Sequence, residues 1–218
     1  MTVFLAGGTG YMGRALIPRL LERGHQVWAL ARPGSEGKLP AGCRVVKGNA
    51  LDPSSFAGDA EGADTWVHLV GVPKPSPWKG PQFRAVDLAS VRAAVEAARS
   101  ARIDHFVYLS VAQPAPVMRA YVEVRAEGEA LIRAAGLNAT FVRPWYVLGP
   151  GHRWPALLRP FYALAELVPS MRDTARRLGL VTLEQMTAAL VEAVERPAEG
   201  VRVVEVEQIA VTDARKFF

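Results

Sequence analysis

Residues 3–13 read VFLAGGTGYMG. A short apolar run, Val3 to Ala6, ends in glycines, and an apolar repeat of helical spacing follows over Arg14–Arg23. Two glycine frames fit the stretch. Gly8, Gly10 and Gly13 match G-x-G-x-x-G, and Gly7, Gly10 and Gly13 match G-x-x-G-x-x-G. Either frame predicts a strand, a tight turn and a helix. One glycine makes the turn, another lets the backbone approach a pyrophosphate, and the last lets helix and strand pack closely. The phosphates then meet the exposed N–H groups of the helix N-terminus, where the dipole favours negative charge.

Working outward, apolar runs alternate with helical patterns along most of the chain. Strands are expected at Val3–Ala6, Gln26–Arg32, Cys43–Lys47, Thr65–Val72, His105–Val111, Ala139–Pro144 and Val201–Val206. Helices are expected at 11–23, 84–100, 120–135 and 183–194, the third stopped by Gly136. Alternation of this kind predicts an α/β fold of Rossmann type, a doubly wound parallel sheet covered on both faces. The whole of 1–218 reads as a single NAD(P)-binding domain. Between Trp145 and Gly179 the alternation stops, and 145–182 reads as a small cap or substrate region. There Leu157, Leu158, Phe161, Leu164 and Leu167 fit one helix face. Trp154 and Tyr162 add aromatic surface, and arginines outnumber Glu166 and Asp173. Val72–Pro81, VPKPSPWKGP, is a proline-rich loop after the fourth strand, where open α/β sheets carry their ligand crevices.

The 218 residues suit one domain, and with half of them hydrophobic the chain has enough apolar surface for a full core. No apolar run reaches the roughly 18 residues of a membrane span, and no leader pattern precedes the first strand. Cys43 is the only cysteine, which excludes an internal disulfide and a cysteine metal cluster. No carboxylates or histidines show metal-ligand spacing, so no metal is expected. These features fit a reducing, cytoplasmic setting. The net charge of +5 favours anionic ligands, which a phosphorylated cofactor satisfies. No clustered basic stripe or nucleic-acid module stands out, and nucleic acid is not expected as a partner.

The second strand ends VWALARPGS. Arg32 stands where an acidic residue in NAD-preferring folds holds the ribose hydroxyls. A guanidinium fork there pairs with a 2′-phosphate, so NADP is the expected cofactor, with Ser35 adding a hydrogen bond. The third strand leads into VVKGNALDPSSF, where Asp52 before Pro-Ser reads as a helix cap.

Four segments together resemble the atypical, extended-type short-chain dehydrogenases/reductases, in particular the NmrA-like group and relatives of the mitochondrial complex I accessory subunit. They are LAGGTGYMGRAL (5–16), AAVEAARSARIDHFVYLS (93–110), YVEVRAEGEALIRAAGLNATFVRPWYVLGPG (121–151) and VRVVEV (201–206). The resemblance spans nearly the full chain. It implies that the dinucleotide is lined by Gly7, Gly8, Thr9, Gly10, Tyr11, Met12, Gly13, Arg32, Ser35, Asn49, Ala50, Val70 and Gly71. Asn49 takes the place of the family's adenine-contacting aspartate. The family's catalytic pattern is a serine at the end of the fifth strand and Tyr-x-x-x-Lys on the next helix. Ser110 and Tyr121 match it, and Arg125 stands at the lysine position.

In that arrangement Tyr121 protonates a developing alkoxide, Ser110 hydrogen-bonds the same oxygen, and Arg125 lends a fixed charge. Arginine cannot relay a proton as lysine does. The i,i+4 spacing also suits a plain surface pair between Arg125 and Glu129. Two functional readings therefore stand: an NADP(H)-dependent oxidoreductase acting on a small carbonyl, enone or quinone-like substrate, and a non-catalytic NADP(H)-binding sensor or structural protein. A sugar-nucleotide epimerase would need a larger substrate domain. Of the histidines, His68 reads as a core residue and His25 and His105 as strand entries. His152, after VLGPG, stands nearest the ligand edge. The oligomeric state is open.

Overall fold

The structure is a computed structural model that describes residues 1–151, 174 and 177–212. Seven parallel strands form one sheet: β1 (Thr2–Ala6), β2 (Gln26–Ala31), β3 (Arg44–Lys47), β4 (Thr65–His68), β5 (His105–Leu109), β6 (Ala139–Arg143) and β9 (Val201–Glu205). Their order is β3-β2-β1-β4-β5-β6-β9. The chain moves outward from β1 to β3 and then crosses back to place β4 on the other side of β1. That reversal opens a crevice at the C-terminal ends of β1 and β4, the usual ligand position in such sheets.

Alternation along each strand sorts the core into two layers. Val3 and Leu5 face one side, with Val67, Val107 and Val142 beside them. Helices α1 (Tyr11–Glu22) and α5 (Leu183–Glu195) cover this face with Leu16, Ile17, Leu20, Met186, Leu190 and Val194. The opposite face is aromatic. Phe4, Trp66 and Phe106 are lateral neighbours in the register, and Phe4 and Trp66 stack with ring centroids 4.5 Å apart. Helix α3 (Ala89–Ser100) meets them with Ala93, Ala94, Ala97 and Ala98. Large rings on the sheet pack against small methyls on the helix.

Three expectations are corrected. The fourth strand stops at His68 instead of Val72. The Leu69 N–H still bonds Ala6 O (2.8 Å), but the Val72 N–H turns to the Asp87 carboxylate (2.9 Å). The helix expected over 84–100 starts earlier and is not regular. A turn of α2 (Gly80–Gln82) passes into a π-helical turn (Phe83–Leu88) before α3 begins. The region where alternation stops contains two further strands, β7 (Tyr146–Leu148) and β8 (Leu180–Thr182), paired in parallel. This pair clamps together the two ends of the expected cap. The cap residues Trp154, Leu157, Leu158, Phe161, Tyr162, Leu164, Glu166, Leu167 and Asp173, and His152, lie outside the described residues. Helix α4 (Arg119–Ala134) lies where it is expected, and a short α6 (Val206–Val211) follows β9.

His68 and His105 are core residues. Ser90 Oγ donates to Asp87 O (2.9 Å), so it accepts from His68 Nε2 (3.1 Å), which makes His68 a neutral Nε2–H tautomer. Burial, and then the charge of Arg125, push His68 down to about 3. Burial, and then Arg202, push His105 down to about 4. The unfolded chain takes up these protons near pH 6.5 and the fold does not. Stability is therefore lost as the pH falls below about 6.5, by about 2 kcal/mol per histidine between pH 7 and 5. Urea unfolding at the two pH values measures this, and His68→Gln is expected to remove about half of the loss.

Candidate functional site

A groove of about 420 Å³ opens at the β1/β4 switch point. Its floor is Gly7, Thr9 and Gly10. One wall carries Leu30 and Arg32 from the end of β2 and Gly48 to Leu51 after β3. The other carries Leu69 to Pro73 after β4, with Gln82 and Val86 from the helical stretch that follows.

The turn distinguishes the two glycine frames. Gly7 has φ +95°, and a Cβ there would lie 2.7 Å from Leu69 C. A Cβ on Gly13 would lie 2.5 Å from Gly7 O and 2.6 Å from Gly8 Cα. These two positions require glycine for the turn and for the closeness of α1 to it. Gly10 has φ −80°, and a Cβ there would meet only Gly7 O, at 3.2 Å. What a side chain at Gly10 would fill is the groove. Gly8 lies under Leu39 and Ile17 instead. The frame with structural force is Gly7-Gly10-Gly13.

The start of α1 suits an anion. Its N-cap is Gly10, with no side-chain cap, and its first turn holds no acidic residue. The groove thus offers a helix N-terminus, a floor in which only Thr9 carries a side chain, and an arginine, which suits a phosphorylated dinucleotide.

Of the expected cofactor residues, Gly7, Thr9, Gly10, Arg32, Asn49, Ala50, Val70 and Gly71 line the groove. The others do not line it. Met12 is in the core under α1, and the Tyr11 hydroxyl lies against Gly149. Ser35 precedes a 3₁₀ turn, and its N–H bonds Arg32 O (2.9 Å). Asn49 Oδ1 accepts from Leu51 N (3.2 Å), which shapes the loop after β3. Asp52 caps the turn that follows by accepting from Ser54 N (3.1 Å), as expected. Glu36, near Arg32 in the chain, is paired with Lys47 at 3.5 Å.

Beyond the Gly71 wall lies the second part of the site. The Arg125 guanidinium packs directly against Gly71. It is 4% exposed and stands 5.2 Å from the Tyr121 ring centroid and 5.6 Å from that of Tyr108. Tyr121 is half-buried, and its ring rests on Phe83 (5.0 Å). The shared helix face of Tyr121 and Arg125 is thus as expected. The surface pair of Arg125 with Glu129 is not. Both are buried, and Arg125 instead binds Asp87 (2.8 Å) and the carbonyls of Leu109 (2.9 Å) and Val70 (3.4 Å). Burial pushes the Asp87 carboxyl up, against the opposing pull of Arg125 and the Val72 amide.

Ser110 is 2% exposed and donates its hydroxyl hydrogen to Glu129 Oε1 at 2.6 Å. Glu129 also accepts from Gln113 (2.9 Å) and from two nitrogens of Arg143 (2.8 and 2.6 Å). The Ser110 proton is therefore directed at a buried carboxylate. Asp87 was not singled out from the sequence, and Glu129 was read there only as a surface partner of Arg125. The signal was present in both cases: Asp87 falls four residues from Phe83 and from Val91, and Glu129 three from Ile132. Each is an acid on the apolar stripe of its helix.

Comparison with known proteins agrees with this geometry. A family profile described as NAD(P)H-binding matches residues 7–153, and the chain belongs to that family. It is 30% identical over 200 residues to a ceramide reductase of Caulobacter vibrioides, covering 91% of this chain and 62% of that protein. It is 26% identical over 208 residues to a 2-alkyl-3-oxoalkanoate reductase of Stenotrophomonas maltophilia, covering 83% of this chain and 58% of that protein. The chain thus spans about three-fifths of the length of these curated relatives. Among solved structures, MoeE5 in complex with UDP-glucose and NAD shares the fold with a TM-score of 0.69 and 21% identity, over 96% of this chain and 79% of that one. Among the described residues no helix is long and apolar enough to cross a membrane, and no cluster of metal-ligating side chains occurs.

Two glycine substitutions separate packing from binding. Gly10→Val is expected to fold normally and lose dinucleotide binding, because its side chain fills the floor of the groove. Gly13→Ala is expected to lower stability by roughly 1–3 kcal/mol through a backbone clash, a fall in Tm of several degrees. Thermal melts by circular dichroism alongside NADPH fluorescence titration read both.

Proposed function

We propose that the chain is an NADP(H)-dependent reductase acting on a carbonyl compound with apolar surroundings. The observation that carries this reading is the tyrosine–guanidinium pair of Tyr121 and Arg125 directly behind Gly71, a residue of the groove wall. The reduced cofactor, when bound, supplies a hydride to the carbonyl carbon. The protein's residues do the rest. Gly7, Thr9, Gly10 and the start of α1 hold the pyrophosphate, and the Asn49 loop receives the adenine. Arg32, whose planar fork suits a phosphate, holds the 2′-phosphate.

Tyr121 donates its phenolic proton to the carbonyl oxygen as negative charge develops there. Arg125 keeps its charge throughout and stabilises the tyrosinate that remains until solvent returns the proton. Ser110 acts from behind: its bond to Glu129 anchors the end of β5. The names of the two curated relatives, a ceramide reductase and a 2-alkyl-3-oxoalkanoate reductase, support a substrate that carries alkyl chains.

A specific observation favours the second reading, a non-catalytic NADP(H) sensor. The Ser110 hydroxyl is committed to Glu129 and the Arg125 fork to Asp87 and backbone carbonyls. The two readings part on turnover. NADPH oxidation over a panel of long-chain 3-oxo compounds, ketones, enones and quinones is expected to find a substrate. Tyr121→Phe is then expected to hold NADPH affinity and lower turnover by roughly 10²–10⁴-fold. Tight NADPH binding without turnover on any panel member would favour the sensor.

The cofactor preference has its own test. Losing one charge-assisted phosphate contact costs on the order of 1.5–3 kcal/mol, about ten- to a hundredfold in affinity. Calorimetry is expected to show that Arg32→Ala weakens NADPH by that factor and leaves NADH unchanged. Equal affinities in the wild type would overturn the NADP assignment.

A further inference from the structure

We infer that Asp87 is a positioning residue for the dinucleotide, acting through Arg125 and Val72 to set the groove wall at Val70–Val72. This rests on the nucleotide reading of the groove and adds to it a residue that does not touch the groove. Asp87 is fully buried in the π-helical turn and uses both carboxylate oxygens. Oδ2 accepts the Val72 N–H at 2.9 Å, and Oδ1 accepts from Arg125 Nη2 at 2.8 Å. The same guanidinium reaches Val70 O with Nη2 (3.4 Å) and Leu109 O with Nη1 (2.9 Å). One ion pair thus ties the backbone after β4 to the end of β5, at the sheet edge where the groove opens.

The local geometry is built around this tie. After His68 the chain leaves the sheet, so the Val72 amide has no strand partner and its bond to Asp87 replaces one. Gly71 between the two anchored residues has no side chain, and a Cβ there would strike Arg125 Nη2 and approach Asp87 Oδ1 to 3.1 Å. Gly71, Asp87 and Arg125 therefore work as one unit. A lysine at 125 has a compact ammonium in place of a planar fork and cannot span the same carboxylate and two carbonyls. Removing either charge leaves the other buried without its counter-ion, the costly state for a buried pair. A wall held this way presents Val70, Gly71 and Val72 to the cofactor in one arrangement, and preorganisation of this kind appears as affinity.

The test compares NADPH Kd and backbone amide exchange at Val70–Val72 in the full chain. Asp87→Ala is expected to raise Kd about tenfold or more and to speed exchange at Val72, as the loss of a charge-assisted bond implies. Asp87→Asn keeps an acceptor for only one of its two donors and leaves Arg125 buried without its counter-ion, so its Kd is expected to rise about threefold or more, toward that of Asp87→Ala. Gly71→Ala leaves Asp87 intact but displaces the fork, and is expected to reproduce the Asp87→Ala effect. It decides the matter if Asp87→Ala fails to fold. Ile132→Val, a core change away from the groove, is expected to lower Tm with Kd unmoved, which separates positioning from general stability. A folded Asp87→Ala or Gly71→Ala with wild-type Kd would overturn the inference. So would an equal rise of Kd in Ile132→Val. A wild-type chain that binds neither NADPH nor NADH would overturn the nucleotide reading itself, and the inference with it.

Discussion

Helix α1 begins where a single Cβ does not fit. Gly13 lies so close to Gly7 and Gly8 that an added carbon would sit 2.5 Å from a carbonyl oxygen. That contact sets the distance between helix and strand, and much of the molecule depends on it. It brings Leu16, Ile17 and Leu20 onto Val3 and Leu5. It aims the uncapped helix N-terminus at the mouth of the groove. It also requires Gly7 to take φ +95°, with its α-carbon against the backbone that leaves β4. The chain leaving β1 meets the backbone leaving β4 at Gly7, which carries no side chain.

The other organising feature is charge placed in the interior. Arg125 and Asp87 form one buried pair, and Glu129 gathers Ser110, Gln113 and Arg143 into another network. Each lies on an element that would otherwise present only apolar side chains to the sheet. A buried pair adds little net stability, because desolvation offsets much of the attraction. Its bonds are directional, however, and in a low-dielectric interior a missing partner is costly. Both networks end on backbone or side chains at the C-terminal ends of β4 and β5, beside the groove.

This arrangement also alters the meaning of the family pattern. Read along the chain, Ser110, Tyr121 and Arg125 look like three side chains converging on a substrate. In space only Tyr121 remains half-exposed, with Arg125 beneath it and Ser110 turned to Glu129. The proposed chemistry therefore rests on one proton donor with a fixed charge behind it, while the serine contributes through the shape of the strand end. Membership of the NAD(P)H-binding family carries the nucleotide, and the reductase relatives, of whose length the chain spans about three-fifths, support the proposed chemistry.

The sequence by itself determined the local features. The α/β alternation, the glycine turn, the Asp52 cap and the burial of His68 each depend on spacing within a few residues, through steric limits, periodicity or one nearby hydrogen bond. The same is true of the common face of Tyr121 and Arg125. Only the tertiary structure decided which glycine frame carries the turn, because the clash at Gly7 comes from Leu69, far along the chain. It alone decided that the fourth strand ends at His68, since the Val72 amide bonds a carboxylate from the following helix. The pairing of β7 with β8, invisible in two three-residue runs, came from the same source. So did the partners of Arg125 and Glu129. A charged residue at helical spacing shows which face it shares, but its counter-ion is chosen by which elements the fold packs against that face. Here those elements are the π-helical turn for Arg125 and the end of β6 for Glu129.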